Sequence, residues 1–387
     1  MKTVALKHLS AVPIRNGLGL PGDNVNPSDP RYIRTTDIAN PRSLKEDTFV
    51  SQPTDIAMRA PVEYGDLLLV SAGSIGKSYL HLSHSPACYA GFLARVRPKS
   101  LRSGLFLSYW TQSSHYIDQV HSSAVQSTIE NFSSARYKEL RVPDLSDAQQ
   151  ERIVKFLDTE TAKIDHLIAK QRELLDLLRL RNEARWHAAF TGFTPVKTRP
   201  LKRLLVKLRR PVLEGSGVVT AFRDGEVTLR SNRREEGFTF SEAETGYQGV
   251  AAGDLVFHGL DGFAGAVGIS DSDGQSTPVY HVCRLRDDED NLRFIAYLLR
   301  YLGHSGFLAT QAPSVRQRAV DFRNWQTFGQ IPLSLPDPEE QQRIVTELDK
   351  NAAEFLNTKT TIEKAIELLQ ERRSALITAA ITGQIEV

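Results

Sequence analysis

A segment of helical character occurs twice in this chain, and the repeat constrains the fold more than any other feature. Residues 147–192 read DAQQERIVKFLDTETAKIDHLIAKQRELLDLLRLRNEARWHAAFTG, and residues 338–383 read PEEQQRIVTELDKNAAEFLNTKTTIEKAIELLQERRSALITAAITG. The shared triplet RIV at 152–154 and at 343–345 is offset by 191 positions, as is the closing TG pair, so the copies align without a gap. A repeat of this size predicts two matching parts, each closed by one copy.

Each copy is predicted to form one long helix with an apolar seam. In the second copy five apolar residues follow one another at a seven-residue spacing, which is the heptad pattern of a coiled coil. The predicted seam comprises Leu157, Ile164, Ile168, Leu175 and Leu178 in the first copy and Leu348, Phe355, Ile362, Ile366, Leu369 and Leu376 in the second. About 45 residues at about 1.5 Å per residue make a rod of roughly 65 Å. A rod with one apolar stripe is not stable alone in water, so we expect the two rods to pack on each other. A coiled coil between two chains is the alternative.

Both copies carry signals for the ends of a helix. A capping box places Ser, Thr or Asp at the start with Glu or Gln three residues later, and glycine often follows the last turn. The predicted caps are Ser146 with Gln149, Asp337 with Glu340, and the closing glycines Gly192 and Gly383.

The repeat extends into the stretches between the helices. The triplet GDL at 65–67 recurs at 253–255, and Tyr109 recurs as Tyr297, while the residues between such anchors differ almost completely. Short apolar strands and apolar-faced helices alternate there, so the predicted fold class is mixed α/β. We predict a tandem duplication of a globular domain, each copy followed by a long helix. The predicted segments are a globular domain at 1–145, a helical spacer at 146–192, a second globular domain at 193–335 and a second spacer at 336–387.

Composition argues against several classes of protein. No apolar run approaches the length of a membrane span, and the first residues lack the core of a signal peptide, so the cytoplasm is the expected location. Cys88 and Cys283 are the only cysteines, which excludes a disulfide framework or a thiolate metal site. The formal net charge is only +2, so any contact with DNA must come from local clusters of charge.

One stretch resembles a phosphate-binding loop and supplies an alternative function. Residues 71–78, SAGSIGKS, follow a predicted strand and end in Gly-Lys-Ser, but Ser71 stands where the motif requires glycine. A structural turn or a DNA-facing loop is therefore favoured over a nucleotide-binding enzyme that uses residues 73–78. No metal-ligand spacing, methyltransferase motif or catalytic triad stands out, so no catalytic residue is predicted. A coiled-coil scaffold without DNA contact is the second alternative.

Clusters of basic and small polar residues occur in both halves and favour a DNA-binding surface. Arg and Lys contact phosphates and guanine, Asn and Gln contact adenine, and Ser and Thr contact either. The candidate DNA-binding residues are Arg34, Thr35, Ser71, Ser74, Lys77, Gln126, Ser127, Lys202, Arg203, Arg230, Asn232, Arg233, Arg234, Arg316, Gln317 and Arg318.

The ends of both helical copies carry short shared motifs. QQERIV at 149–154 matches EQQRIV at 340–345, and AAFTG at 188–192 matches AAITG at 379–383. With two divergent domains between these motifs, the chain resembles the specificity subunit of type I restriction–modification systems. The resemblance implies that each globular part is a target-recognition domain that reads one half of a split site in double-stranded DNA.

The resemblance also implies the partners and the division of labour. The rods would pack as an antiparallel coiled coil, set the spacing between half-sites and dock the methylation subunits, of which two are expected, and a restriction subunit would join them. Adenine methylation and ATP-driven cleavage would belong to those subunits, as would S-adenosylmethionine, ATP and Mg. The chain itself would be non-catalytic, hold no cofactor and contact no membrane.

Overall fold

The computed structural model describes residues 2–124, 132–212, 214–233, 246–311, 315–316 and 319–387. The chain forms two compact units. The first unit comprises Met1–Glu173 and Ile362–Val387, and the second comprises Leu174–Thr361. This grouping differs from the chain order of the four predicted segments, because each long helix begins in one unit and ends in the other.

The first unit is built from short strands and helices, as the alternation of apolar runs predicts. Its strands are β1 (Thr3–Ala5), β2 (Arg15–Asn16), β3 (Arg31–Ile33), β4 (Ile38–Asn40), β5 (Ser43–Leu44), β6 (Pro61–Val62), β7 (Leu67–Val70), β8 (Ser78–Leu80), β9 (Ala87–Tyr89), β10 (Leu93–Val96) and β11 (Arg141–Pro143). Its helices are α1 (Thr54–Ala57), α2 (Leu101–Trp110), α3 (Ser114–Ala124), α4 (Ser134–Glu139) and the first part of α5 (Asp147–Thr191), with 3-10 turns at Leu6–His8 and Thr35–Asp37.

Strand β7 lies inside the main sheet of the first unit, whose order is β2-β10-β7-β8 with antiparallel neighbours. All four of its residues are buried. Leu67 and Leu69 belong to the core cluster that includes helix α2, whereas Leu68 and Val70 belong to a second cluster with Ile33. Since successive side chains of a strand point to opposite faces, the continuous run LLLV reflects a sheet covered on both sides.

The second unit has the same kinds of element. Its strands are β12 (Lys197–Pro200), β13 (Leu205–Lys207), β14 (Val219–Ala221), β15 (Val227–Leu229), β16 (Gln248–Val250), β17 (Leu255–His258), β18 (Val267–Ile269), β19 (Gly274–Ser276), β20 (Tyr280–Leu285), β21 (Val315–Arg316), β22 (Ala319–Val320) and β23 (Pro332–Leu335). Its helices are the last part of α5, then α6 (Leu201–Leu204), α7 (Leu292–His304), α8 (Phe307–Thr310), α9 (Trp325–Phe328) and the first part of α10 (Pro338–Thr382), with 3-10 turns at Arg230–Asn232 and Gly262–Ala264.

The main sheet of the second unit has the order β13-β20-β17-β18, again with antiparallel neighbours. Strand β17 begins at the leucine of the second GDL triplet, as β7 begins at the leucine of the first, and each occupies the third position of its sheet. In each unit a separate two-stranded ladder joins the first strand to the strand that precedes the long helix, β1 to β11 and β12 to β23. The fold is therefore mixed α and β, as predicted, and the same order of strands occurs in both units.

The repeated GDL triplet has a structural role that the sequence analysis did not identify. Gly65 and Gly253 have positive φ angles of 90° and 89°, which glycine adopts without steric cost. Asp66 is 1% exposed and accepts hydrogen bonds from Arg97, and Asp254 is 5% exposed and accepts hydrogen bonds from Arg210. Each carboxylate also accepts a backbone N–H three residues earlier, at 2.8 Å. The triplet therefore places a buried carboxylate that closes the turn before the central strand.

The two long helices have equal length, 45 residues each. Ser146 and Gln149 form the predicted capping box, with the Ser146 N–H donating to Gln149 Oε1 at 2.9 Å and the Gln149 N–H to Ser146 Oγ at 3.4 Å. Asp337 caps α10 by accepting the Glu340 N–H at 2.9 Å, but the Glu340 carboxylate pairs with Arg343 instead of completing a box. Gly383 ends α10 with a positive φ of 70°.

Gly192 directly follows Thr191, the last residue of α5, as predicted, but it does not adopt the left-handed conformation of Gly383. Gly192 is not among the described glycines with positive φ, and its N–H donates to the Ala188 carbonyl at 3.0 Å, as in a continuing helix. Helix α5 therefore ends without the left-handed glycine that ends α10.

The predicted seam residues lie on the covered side of both helices. Buried are Leu157, Ile164, Ile168, Leu178, Leu348 and Ile362, and half-buried are Leu175, Phe355, Ile366, Leu369 and Leu376. In the first unit, Leu157 of α5 shares a core cluster with Ile377 and Ile381 near the end of α10. In the second unit, Phe190 near the end of α5 shares a core cluster with Leu348 near the start of α10.

Polar contacts within each unit accompany the apolar seam. In the first unit, Arg373 of α10 donates from Nε to Asp165 of α5 at 2.9 Å. In the second unit, Arg185 of α5 donates to Asn351 of α10 at 2.6 Å. The spacing of residues in the sequence does not indicate these partners. In each unit an early part of one helix therefore contacts a late part of the other.

A tyrosine attaches each globular part to the long helix that follows it. The Tyr109 hydroxyl of α2 donates to Asp158 of α5 at 2.7 Å, and Arg42 pairs with the same carboxylate and lies over the Tyr109 ring. In the second unit, the hydroxyl of Tyr297 donates to Asp349 of α10. The arginine there is Arg293, which pairs with Asp349 at 3.1 Å and lies over the Tyr297 ring. The recurrence of the tyrosine thus reflects a contact with a carboxylate that occupies the same place in both helices.

Within the part of the chain that the structure describes, no helix is both long and apolar enough to cross a membrane.

Replacing a buried seam residue by a charged one should destabilise the fold. Ile362 is 5% exposed, so Ile362→Asp buries a carboxylate without a partner and should lower the free energy of unfolding by about 3 kcal/mol. Leu368→Asp is the matched control, because Leu368 lies on the same helix and is 54% exposed; it should cost less than about 1 kcal/mol. Thermal unfolding followed by circular dichroism measures the stability of both variants. Equal melting curves would contradict the burial of Ile362 in an apolar seam.

Removing the buried carboxylate of the GDL triplet should also be costly. Asp66→Ala removes the buried partner of the half-buried Arg97, which keeps only the exposed Glu63, and also removes the acceptor of the Glu63 N–H; it should lower the free energy of unfolding by about 3 kcal/mol. Glu63→Ala is the control, because Glu63 pairs with the same arginine from a side chain that is 61% exposed; it should cost less than about 1 kcal/mol. Urea unfolding followed by intrinsic fluorescence measures both, and equal losses would argue against a special role for Asp66.

Candidate nucleic-acid interface

The loop that resembles a phosphate-binding motif is the turn of a β-hairpin. Residues 71–77 connect β7 to β8, which pair antiparallel, and Gly73 and Gly76 have positive φ angles of 80° and 93°. A phosphate-binding loop must instead open a helix, whose first N–H groups hold the phosphates. The nucleotide-binding alternative is therefore not favoured.

Three of the candidate residues lie in or beside this hairpin turn. Ser74 and Lys77 are exposed, and no ion pair of Lys77 occurs among the described residues. Ser71 is 6% exposed, accepts a hydrogen bond from Asn16 Nδ2 at 3.0 Å and hydrogen bonds through its backbone to two other segments. Because Ser71 is buried and its hydroxyl is engaged inside the domain, this position does not favour a contact with DNA, and its role stays a prediction. Ser74 and Lys77 stay candidates.

Arg34 lies at a structural ion pair rather than on an open surface. Its guanidinium donates to the fully buried Asp37 at 2.9 Å and to the Thr48 carbonyl at 3.0 Å. The neighbouring Thr35 is half-buried in the 3-10 turn that begins there. The clustering of charge that made Arg34 a candidate therefore has an internal explanation, namely the buried carboxylate three residues later.

The candidates after strand β15 also have partners within the second unit. Arg233 pairs with Asp224 at 2.7 Å and Glu226 at 3.1 Å, and its guanidinium lies over the Phe222 ring. The hydrogen bonds with Asp224 raise the pKa of Arg233 above its usual value. A guanidinium held by two carboxylates is poorly placed to read a base, so Arg233 is not supported as a reader of sequence.

Arg230 and Asn232, which are close to Arg233 in the sequence, contact neighbouring hydroxyl groups. Arg230 is half-buried, with Nε 3.4 Å from Thr220 Oγ1, and Asn232 is exposed while donating to Thr228 Oγ1 at 2.8 Å. The Asn232 carbonyl oxygen remains an acceptor that a base edge or a water could use. Both residues stay candidates.

The start of the second unit carries a concentration of positive charge that we call the basic patch, comprising Lys202, Arg203, Lys207 and Arg209. Arg203 and Arg209 are exposed, and Lys202 and Lys207 are half-buried. Burial, and then the charge of Arg209, lower the pKa of Lys207. Among the described residues, no carboxylate lies within ion-pairing distance of any of the four. Uncompensated charge of this kind favours binding of an anion such as a DNA backbone.

Five candidates, Gln126, Ser127, Arg234, Gln317 and Arg318, lie outside the described residues. Arg316 lies in β21, where its backbone pairs with Ala319 of β22. The role of these residues stays a prediction.

The described residues offer neither a metal site nor an accessible thiol. No set of three His, Cys, Asp or Glu residues there could hold a metal ion. Cys88 and Cys283 are buried and free. Burial raises the pKa of Cys88 to about 11 and also raises that of Cys283. Neither thiol is therefore suited to act as a nucleophile at neutral pH.

Comparison with curated proteins identifies two similar sequences, while no protein-family model matches the chain. The specificity subunit of the type I restriction enzyme StySPI from Salmonella potsdam is 26% identical over 162 residues, which are 41% of this chain and 33% of that protein. The specificity subunit of the type I restriction enzyme EcoKI from Escherichia coli (strain K12) is 26% identical over 261 residues, which are 61% of this chain and 53% of that protein. The matched regions thus span about a third and about half of these relatives.

Comparison with solved structures extends over nearly the whole chain. A chain from a structure described as the basis of complex assembly and conformational transition of the type I R-M system has a TM-score of 0.73 and 16% identity, covering 99% of this chain and 98% of that one. The HsdS subunit from Thermoanaerobacter tengcongensis has a TM-score of 0.55 and 15% identity, covering 99% of this chain and 97% of that one. At these identities the likeness establishes a shared fold. Together with the curated sequence relatives, it confirms the resemblance of this chain to the specificity subunits of type I restriction–modification systems.

Proposed function

We propose that the chain is the DNA sequence-specificity subunit of a type I restriction–modification complex and has no catalytic activity of its own. The observation that carries the proposal is the pair of units whose main sheets share one order of strands while the residues between their anchors differ. Two different domains joined in one chain suit an asymmetric, split DNA site, whereas a symmetric dimer would suit a palindrome.

A tandem duplication is part of this proposal. The buried carboxylates of the two GDL triplets, the tyrosine contacts to Asp158 and Asp349, and the equal lengths of the long helices support it. The helices would form an antiparallel coiled coil that fixes the spacing of the half-sites. The contacts of Arg373 with Asp165 and of Arg185 with Asn351 support this direction of packing.

The basic patch is the proposed site of contact with the DNA backbone in the second unit. Its cations have no ion pair among the described residues, so a phosphate would meet no competing carboxylate. In the first unit, the exposed side chains of Ser74 and Lys77 on the hairpin turn are the corresponding candidates.

The proposed partners are double-stranded DNA, methylation subunits, two in number, and a restriction subunit. S-adenosylmethionine, ATP and Mg would be bound by those subunits, and the complex would work in the cytoplasm. Leu174 and Leu177 of α5, which both belong to the second unit, are 43% and 56% exposed. Exposed leucines on one helix are unusual in a chain that works alone, so we propose this face of α5 for contact with a methylation subunit.

Loss of the basic patch should weaken binding to every DNA sequence alike. In the complex assembled with its methylation subunits, Lys202→Ala combined with Arg203→Ala should flatten the slope of log K against log salt by roughly 0.9 for each phosphate that the variant no longer neutralises. Lys7→Ala is the matched control, since Lys7 stands at the equivalent place in the first unit but is paired with Glu139 at 2.8 Å. Fluorescence anisotropy of duplex DNA at several salt concentrations measures both.

The same binding measurement distinguishes a DNA-specificity subunit from a coiled-coil scaffold without DNA contact. A slope unchanged in the double variant would remove the basic patch from the DNA surface while leaving DNA binding intact. An assembled complex that binds its protein partners but binds no DNA at any salt concentration would favour the scaffold alternative.

A further inference from the structure

A cavity in the second unit combines an aromatic wall with an arginine. It lies against the last part of α5 and the end of α7, and its volume is about 600 Å³. Trp186, Tyr301 and Phe355 form much of the wall, and Arg300 also lines it. All the lining residues belong to the second unit, and none of them is a candidate for DNA contact. The cavity therefore requires an explanation of its own.

Arg300 is a cation without a hydrogen-bonding partner. Among the described residues, its guanidinium makes no hydrogen bond and no ion pair. None of its nitrogen atoms is closed off from solvent, so a ligand in the cavity can reach them. A guanidinium presents a fork of N–H donors that matches the two oxygens of a carboxylate. Arg300 therefore offers a binding site for an anionic oxygen acceptor.

Packing, rather than hydrogen bonds, holds this guanidinium in position. It lies over the Trp186 ring at 5.0 Å. A β-carbon added to Gly225 would come within 2.7 Å of Arg300 Nη1, so the turn between β14 and β15 packs closely against the arginine. A ligand would therefore meet a cation that is already ordered and would lose little binding energy to its immobilisation.

The acid whose charge acts most strongly on Arg300 is already engaged elsewhere. Asp224 tends to raise the pKa of Arg300, although burial lowers that pKa overall. Both oxygens of Asp224 accept hydrogen bonds from Arg233, at 3.1 Å and 2.7 Å. Asp224 therefore does not satisfy the donors of Arg300.

Other side chains of the lining do not supply the missing partner. Arg179 pairs with Asp176 at 3.4 Å. Burial, and then the charge of Arg300, lower the pKa of His304, so its imidazole is neutral at neutral pH. Glu183 is exposed and makes no ion pair among the described residues. A DNA backbone would meet this carboxylate and the aromatic wall, so a single carboxylate on an apolar segment fits the cavity better than DNA does.

The equivalent junction of the first unit is closed by a contact within the chain. In both units a tyrosine contacts a long helix, and the residue three positions later is Gln112 in the first unit and Arg300 in the second. Gln112 accepts a hydrogen bond from Arg373 at 3.0 Å, and Arg373 also donates to Asp165 at 2.9 Å. An arginine and its acceptors thus meet at this place in the first unit.

The second unit lacks the acidic member of that contact. The offset of 191 between the long helices makes Asn182 equivalent to Arg373 and Leu356 equivalent to Asp165. The arginine of this junction is Arg300, which α7 supplies, and the acid is replaced by a leucine that is 59% exposed. A carboxylate from another molecule would complete the contact that the first unit makes internally. An apolar residue beside that carboxylate would cover the aromatic wall.

We propose that this cavity receives an acidic side chain of a methylation subunit, with Arg300 as the group that binds its carboxylate. The inference rests on the proposed function, which supplies the partner, and adds a contact that the exposed leucines of α5 do not provide. Arginine, tryptophan and tyrosine are the residues that most often dominate the binding energy of an interface, and the cavity presents all three.

Association of the full chain with its methylation subunit, measured by isothermal titration calorimetry, tests the proposal. Arg300→Gln removes the charge and most of the donors, so it should weaken binding at least about tenfold. Arg199→Gln is the matched control, because Arg199 is exposed and lies outside the lining; it should change the Kd by less than about twofold. Circular dichroism verifies that both variants are folded.

Ser305→Asp supplies a second variant that leaves Arg300 in place. Ser305 is exposed and lines the cavity, so an aspartate there either repels the incoming carboxylate or occupies Arg300 itself. Binding should again weaken about tenfold. This variant tests the proposal even if Arg300→Gln fails to fold.

A photo-crosslinking amino acid at position 305 identifies the occupant. In the assembled complex it should capture a segment of the methylation subunit that contains an Asp or a Glu. Replacing that acid by arginine should restore binding to the Arg300→Glu variant of this chain, because the charges are then exchanged between the partners.

Three results would overturn the inference: binding by Arg300→Gln and Ser305→Asp equal to that of the unmodified chain, capture of a segment without an acid, or capture of DNA. Those results leave the proposed function intact, because the methylation subunit still binds. If the unmodified chain binds no methylation subunit at all, the proposed function is wrong as well, so the two failures are distinguishable.

Discussion

Burial of one apolar face along each 45-residue helix is the interaction on which the rest of the structure depends. The fully or nearly buried residues Leu157, Ile164, Ile168, Leu178, Leu348 and Ile362 lie on these faces. Burying a leucine or isoleucine side chain contributes about 1.5–3 kcal/mol, so the combined seam outweighs any single polar contact described above. In each unit the same helices also enter the globular core, where the cluster around the main sheet includes residues from both. The helices are thus part of the cores rather than links between them.

Buried polar contacts then orient the globular parts on this apolar framework. Asp66 and Asp254 hold the turn before the central strand, and Asp158 and Asp349 accept a hydrogen bond from a tyrosine of the preceding domain. At each pair of equivalent positions in the two units, the carboxylate is present in both units, whereas the arginine that contacts it comes from a different element of the fold. The partner of Asp66 follows β10, whereas the partner of Asp254 follows β13. Such contacts keep the carboxylate in place while the segment that supplies the arginine differs, so they are compatible with divergence of the surrounding segments.

How much of the structure the sequence predicts depends on whether the signal for each feature lies within a short stretch of the chain. The seven-residue spacing and the cap at Ser146 are local, and they predicted both helices to within a few residues. The similarity of residues 71–78 to a phosphate-binding loop is also local, but the hairpin is set by pairing of β7 with β8, which a short motif does not encode. Arg34 and Arg233 were candidates for DNA contact because charge was counted without the carboxylates that fold against it.

The contacts that no pattern revealed join residues far apart in the chain. Arg42 reaches Asp158 across more than a hundred residues, and Arg31, Arg42 and His81 line one cavity although they come from three separate segments. Spacing along the chain carries no signal for such groups, because the fold alone brings them together. The positive charge of the basic patch was visible in the sequence, but its lack of carboxylate partners among the described residues required the structure.

The central claim is that two independent domains each read one half of a split DNA site. It is tested most directly by replacing residues 1–145 with the matching domain of another specificity subunit and mapping the methylated adenines by sequencing. The account predicts that one half of the recognised site changes while the other half, and the adenine methylated within it, stay as before. A replacement that changed both halves, or that changed neither while methylation persisted, would contradict the claim.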